Sequence, residues 1–214
     1  MPNHLVAGTV LLSMLCACSS AKKPDAAAPE SEPPAARDDS SHAAAVAEVA
    51  RLKAKADENP LLVKWSGPYG GVPPWDKVKT EMFPAAFEIG LAMLLAEVEA
   101  IATDPAPPTF KNTIGAMENA GRHQDRAEVL FGVWTDNLNT PEVQAVDREW
   151  APKVAATSDK ITFNEKLFAR LSAVHAARES AGLTAEQKRL LERTYDDFVR
   201  AGAKLNAEQK QQLG

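Results

Sequence analysis

His175 and Glu179 stand four residues apart, a spacing that puts two metal-ligating side chains on one face of a helix. A zinc site takes three or four ligands, so this pair alone does not make one. A solvated helix pair is the simpler reading. His123 lies on another helical stretch, His42 in a polar segment and His4 near the N-terminus. None of the four is followed by glutamate, so the helical zinc motif H-E-x-x-H is absent. Asp196 and Asp197 are consecutive. Consecutive helical side chains diverge by about 100°, so the two carboxylates do not converge on one proton or metal. Glu192, Arg193 and Asp196 read as surface charge. Gly70-Gly71 is not a phosphate loop, because no lysine or helix start follows in register. With Tyr69 it reads as an ordinary turn, the alternative being a flexible contact to a substrate. No catalytic residue and no metal ligand is assigned.

The cysteines do different work. Cys16 and Cys18 are the only two, both near the N-terminus. Neither a disulfide framework nor a cysteine zinc site is available to the rest of the chain. They close an apolar run, Leu5 to Ala17, that is shorter than the roughly 20 residues needed to span a bilayer and suits the core of a secretory signal. Leu15-Cys16-Ala17-Cys18-Ser19 resembles a bacterial lipoprotein signal. The resemblance implies cleavage after residue 17, acylation of Cys18, and, from Ser19 rather than an aspartate, the outer membrane. Two departures stand out: no Lys or Arg precedes the apolar run, and Cys16 is an unusual occupant of its position. A simple cleaved signal and a buried helix are the alternatives. Each buried methylene of an acyl chain adds about 0.8 kcal/mol, so more than one chain gives a stable anchor. The expected location is the bacterial cell envelope, on the periplasmic face of the outer membrane.

Charged residues make up 25% of the chain and the formal net charge is -5, which leaves no basic stripe for nucleic acid. Aromatics are only 6%, so leucine, valine and alanine must do much of the packing.

Residues 19–40 carry no large apolar side chain. Such a segment cannot bury enough surface to offset the entropy of ordering, and reads as a disordered tether. Ala43 to Glu58 is helix-compatible but short of large apolar groups, so the tether is drawn over 18–58 with a weak helix in it. The folded part is expected from Asn59-Pro60 onward, over 59–214. Its first stretch, to Pro74, reads as an extended arm bearing Trp65 and Tyr69 and packed on helices.

From Phe83 the helical period dominates. Pro84 suits a first turn, where its missing N–H is harmless. Phe87, Leu91, Leu94, Leu95, Val98 and Ile101 form one stripe, ended by Asp104-Pro105-Ala106-Pro107-Pro108. Ile114, Met117 and Ala120 predict a short helix ending near Gly121. Val129, Leu130, Val133 and Trp134 predict the next. Thr140-Pro141 is an N-cap with proline at the first helical position, followed by Val143, Val146, Trp150 and Val154 on one face, with a kink expected at Pro152. Leu167, Leu171 and Val174 predict a helix running to Gly182. Thr184-Ala185-Glu186-Gln187 is a capping box ahead of Leu190, Leu191, Tyr195, Phe198 and Val199. No strand alternation and no fixed repeat appears. The fold class is all-α. Asn206-Ala207-Glu208-Gln209 is a second capping box, opening a helix that the sequence carries for only a few residues. Isolated helices that short are marginal in water, which suggests a truncated domain.

Taken in order, Asn59-Pro60-Leu61-Leu62, Pro73-Pro74-Trp75-Asp76-Lys77-Val78, Phe83-Pro84-Ala85-Ala86-Phe87, Pro108-Thr109-Phe110-Lys111-Asn112-Thr113-Ile114, Glu149-Trp150-Ala151-Pro152-Lys153 and the run from Leu191 to Gly202 resemble the N-terminal region of the thimet-oligopeptidase family, bacterial peptidyl-dipeptidases and oligopeptidase A above all. The resemblance covers about residues 59–214. It implies a large all-helical zinc metallopeptidase that hydrolyses short peptides in a deep channel, with this region as one wall and the lid. It also implies zinc in the whole enzyme, held by two histidines and a glutamate on later helices beside a glutamate general base. None of those residues has a counterpart here, so the chain as it stands is expected to bind no zinc and to be inactive alone. The alternative is a non-catalytic helical lipoprotein that binds peptides or an envelope partner.

Overall fold

Helix formation starts earlier than composition suggests. The computed structural model describes residues 39–68, 71–206 and 208–209, within a single unit that starts at Ala36. The first helix, α1, runs Asp39–Glu58. It is rich in alanine, the strongest helix former, and buries Ala45, Leu52 and Ala56. It packs along the central helix α2, Phe83–Ala102. The Nδ1 of His42 donates to the carbonyl of Ala100 at 3.0 Å, which ties the start of α1 to the end of α2. Small side chains let two helices approach closely, so a helix poor in leucine still joins the core. Residues 39–58 are therefore packed helix, longer and better anchored than the weak helix read from Ala43 to Glu58. The expected signal over 1–17, Cys18 and the tether as far as residue 38 lie outside the described residues.

α2 is the hub. Pro84 sits in its first turn, and Phe83, Phe87, Leu91 and Met93 enter the main core with Leu52, Leu61, Leu62, Leu130, Phe131, Val143 and Trp150. Its C-terminal part, through Val98, Ile101 and Ala102, forms a second cluster with Leu167. A third cluster joins Ile114, Leu171, Val174 and Leu191. The remaining helices are α3 (Ile114–Met117), α4 (Arg122–Asn137), α5 (Pro141–Thr162), α6 (Glu165–Ala176) and α7 (Ala185–Arg200). α2 meets α1, α4, α5 and α6, and α6 carries α7. Among the described residues there is no strand, only an isolated bridge between Ser66 and Val72.

The caps follow the sequence. Thr140 accepts from the N–H of Val143, and Thr184 and Gln187 form a reciprocal capping box. Asn206 and Gln209 repeat that reciprocal pairing. The arm from Asn59 to Pro74 is anchored by the fully buried Leu61 and Leu62. Arg126 donates to the carbonyl of Leu62 at 2.8 Å. Gly71 has φ +118° and lies against the backbone of Trp65, where a Cβ would come within 2.6 Å of the carbonyl oxygen. Trp75 stacks on Trp134 with centroids 6.2 Å apart, and the Nε1 of Trp134 donates to Thr80.

α5 runs through Pro152 to Thr162, with the proline inside the helix as its position in the apolar pattern required. Two local expectations change. α4 turns Ala127, Leu130 and Phe131 inward, while Val129 and Val133 face outward. α6 stops at Ala176, and turns fill the interval to Gly182.

Candidate functional site

The groups singled out for chemistry are held apart by structural partners. His175 stacks face to face on Tyr195, with centroids 3.9 Å apart and planes within 4°. Burial, reinforced by Arg178, lowers its affinity for a proton, against a smaller opposing pull from Asp196 and Glu192. Glu179 turns to the next helix and accepts from the Nζ of Lys188 at 2.7 Å, which holds its carboxyl below the usual range. The candidate pair is thus a ring stack and an ion pair. Asp197 lies 3.9 Å from Arg193 and 3.7 Å from Arg200, in an exposed strip of mixed charge. Tyr69 and Gly70 lie outside the described residues.

His123 begins α4 half-buried, and its Nδ1 is buried without a hydrogen-bond partner. Burial lowers its proton affinity, and Arg126 and Lys53 act in the same direction. A histidine among cations is a poor start for a metal site. Among the described residues no group of three or more His, Cys, Asp or Glu side chains is placed to hold a metal ion. Among the described residues the candidate ligands do not fit zinc, because they are committed to a ring stack, to lysine or to a cationic neighbourhood.

What the helices do build is a pair of grooves that share Trp150. The ring of Trp150 is buried on α5, 5.7 Å from that of Phe87. Lys153, one turn later, lies 3.9 Å over it and also pairs with Glu149 at 2.7 Å. On one side, between α2 and α5, an open groove of about 790 Å³ has Leu91, Ala92 and Leu95 along its floor. Glu81, Glu88 and Glu149 stand along it. On the other side, a smaller groove separates α5 from α4. An apolar floor with carboxylates at intervals takes up a chain of mixed character: apolar side chains go down, and N–H groups or amines meet the acids. The sequence signal for it was the Trp150–Val154 face and the α2 stripe, but only the packing shows which part of each stripe stays open.

No protein-family model matches the chain. Two relatives do. The chain is 37% identical over 155 residues to dipeptidyl carboxypeptidase of Escherichia coli strain K12, and 37% identical over 155 residues to the protein of the same name from Salmonella typhimurium. Each match takes in 72% of this chain and 23% of the relative. The chain is thus homologous to part of a peptidase, and spans about a quarter of the length of these relatives.

Proposed function

We propose that this chain is the N-terminal helical wall of an envelope zinc metallopeptidase of the dipeptidyl carboxypeptidase kind, acting on short peptides. The observation that carries the reading is the 37% identity across 155 residues. In this reading the open α2–α5 groove lines the path of the peptide. Its floor takes apolar side chains, and Glu81 and Glu88 meet the peptide's N–H groups and amines, while Glu149 stays paired with Lys153. Zinc, with its activation of water, is supplied by sequence that has no counterpart among these residues. The chain's own contribution is binding and alignment, which removes the entropy of orientation from the reaction. The charged strip on α7 plays no part in it.

A chimera tests this. The matched region of the E. coli enzyme is replaced by the matched region of this chain, and hydrolysis of a quenched short peptide is followed. Chelator-sensitive turnover is expected from the chimera and none from the 214-residue chain alone. A folded, zinc-loaded chimera without turnover would refute the reading, as would chelator-sensitive turnover by the chain alone.

The location in the envelope, through an acylated Cys18, is part of the same proposal and is tested separately. Radiolabelled palmitate is expected to mark the wild-type chain and not the Cys18→Ala variant. Equal labelling of both would remove the anchor and leave the peptidase reading in place.

A further inference from the structure

We propose that the groove between α4 and α5 is a docking site for a cationic amphipathic helix of a partner protein. The inference does not rest on the peptidase reading. The groove encloses about 430 Å³. Phe87, Phe131 and Trp150 form its aromatic floor, with the ring of Phe87 5.2 Å from Phe131 and 5.7 Å from Trp150. Its α4 wall is bare at Gly132, where a Cβ would meet no atom within 4 Å. Across from it, α5 presents the small side chain of Ala151.

Val129 and Val133 of α4 are 56% and 41% exposed, but neither lines the slot. The missing side chain at Gly132 lets another backbone come near. Both walls are helices, and the described residues present no free sheet edge. A helix lying along the slot is therefore the partner geometry that fits, with side chains spaced three and four apart as anchors.

Charge decides which helix. The ionisable residues that line the slot are Glu128 and Asp147, and no lysine or arginine lines it. Glu128 accepts from the neutral amide of Gln124 at 3.0 Å, an interaction that leaves its charge in place. An occupant with lysines or arginines flanking its apolar stripe meets complementary charge on both walls, and an acidic helix meets repulsion.

The test uses a synthetic leucine/lysine amphipathic helical peptide and a leucine/glutamate peptide of equal length. Each is titrated into the 214-residue chain by calorimetry and tryptophan emission. The lysine peptide is expected to bind and the glutamate peptide not to bind. Gly132→Leu places a side chain in the open slot and is expected to weaken binding by about tenfold or more. Its thermal midpoint should be unchanged or higher, because leucine is the better helix former. Asp147→Lys, which leaves the slot open, should also weaken binding about tenfold. Glu192→Lys, the same charge change on α7, should have little effect. Four results would overturn the proposal: equal affinity of wild type and Gly132→Leu, equal affinity for the two peptides, equal loss in Asp147→Lys and Glu192→Lys, or self-association through this face with no peptide bound.

Discussion

Gly90 of α2 lies against Gln124 of α4 so closely that a Cβ on the glycine would come within 3.1 Å of the glutamine Cα. The two helices cross at this point almost backbone to backbone, beneath a glutamine that is only 2% exposed. Gly132, on the same α4, has open space where its Cβ would be. Alanine is favoured over glycine inside a helix by about 1 kcal/mol. The two glycines therefore respond oppositely. Gly132→Ala should stabilise the fold by about 0.5–1 kcal/mol. Gly90→Ala should lose that gain to the tight contact and destabilise by about 1–2 kcal/mol. Urea denaturation of the two variants reads the difference, and stabilisation by Gly90→Ala would contradict the close crossing.

Arg170 should be the most sensitive charged residue. It is 7% exposed on α6, and donates to the carbonyls of Asp104 and Ala106 at 2.7 and 3.0 Å. It also pairs with the carboxylate of Asp104 at 3.3 Å. The guanidinium thus holds the proline-rich connection that follows α2. Arg170→Ala leaves two carbonyls and a partly buried carboxylate without their donor, and should destabilise by about 3 kcal/mol. Asp104→Asn keeps both carbonyl bonds and should lose only about 1 kcal/mol. Arg170→Lys should not recover stability, because an ammonium lacks the fork that spans these acceptors. Chemical denaturation with all three variants checks the order.

His123 should make stability depend on pH. Its proton affinity in the folded chain is below the ordinary imidazole value of 6.5, chiefly through burial and then through Arg126 and Lys53. The unfolded chain therefore takes up the proton first as pH falls. The stability is fully present above 6.5 and is lost as pH drops from there through the lower native value. His175, lowered by burial and Arg178, acts in the same direction. Thermal midpoints should fall between pH 7.5 and the acid side of this window, and His123→Asn should flatten the profile. A variant with the wild-type slope would show that His123 does not contribute.

Leu52 tests the start of the folded region. It is 4% exposed on α1, in the main core. Leu52→Ala should destabilise by about 2–5 kcal/mol, as in other core truncations. A tether residue would show no change, so an unaltered midpoint in a thermal melt would return 39–58 to the linker.

Much of the local structure was legible because it is encoded locally. Thr140-Pro141 and Thr184 with Gln187 are caps within a few residues of each other, and need no distant partner to form. The stripe along α2 has one period from Phe87 to Ile101, and its ends are set by Pro84 and by the proline cluster after Asp104. The likeness to peptidases also came from ordered sequence, and the two relatives bear out that coarser part.

What sequence could not supply is which face of a regular helix finds a partner. Val129 and Leu130 are equally apolar neighbours on α4, yet Leu130 is fully buried and Val129 is 56% exposed. Leu130 shares a helical stripe with Ala127 and Phe131 and Val129 does not, but it is the position of α2, close at Gly90 to Gln124, that makes this stripe the buried one. The same holds for α1. Its few large apolar residues read as a weak helix in a tether, but burial depends on the complementary surface of α2 as well as on its own side chains. His175 and Glu179 carried a metal-like spacing, and were separated by Tyr195 and Lys188, residues of α7 that only the tertiary fold brings near. The chain's own order thus determined its helices, its caps and its kinship. Packing alone decided the buried face of each helix, the fate of its polar pairs, and the grooves on either side of Trp150, because those depend on contacts between residues far apart in sequence.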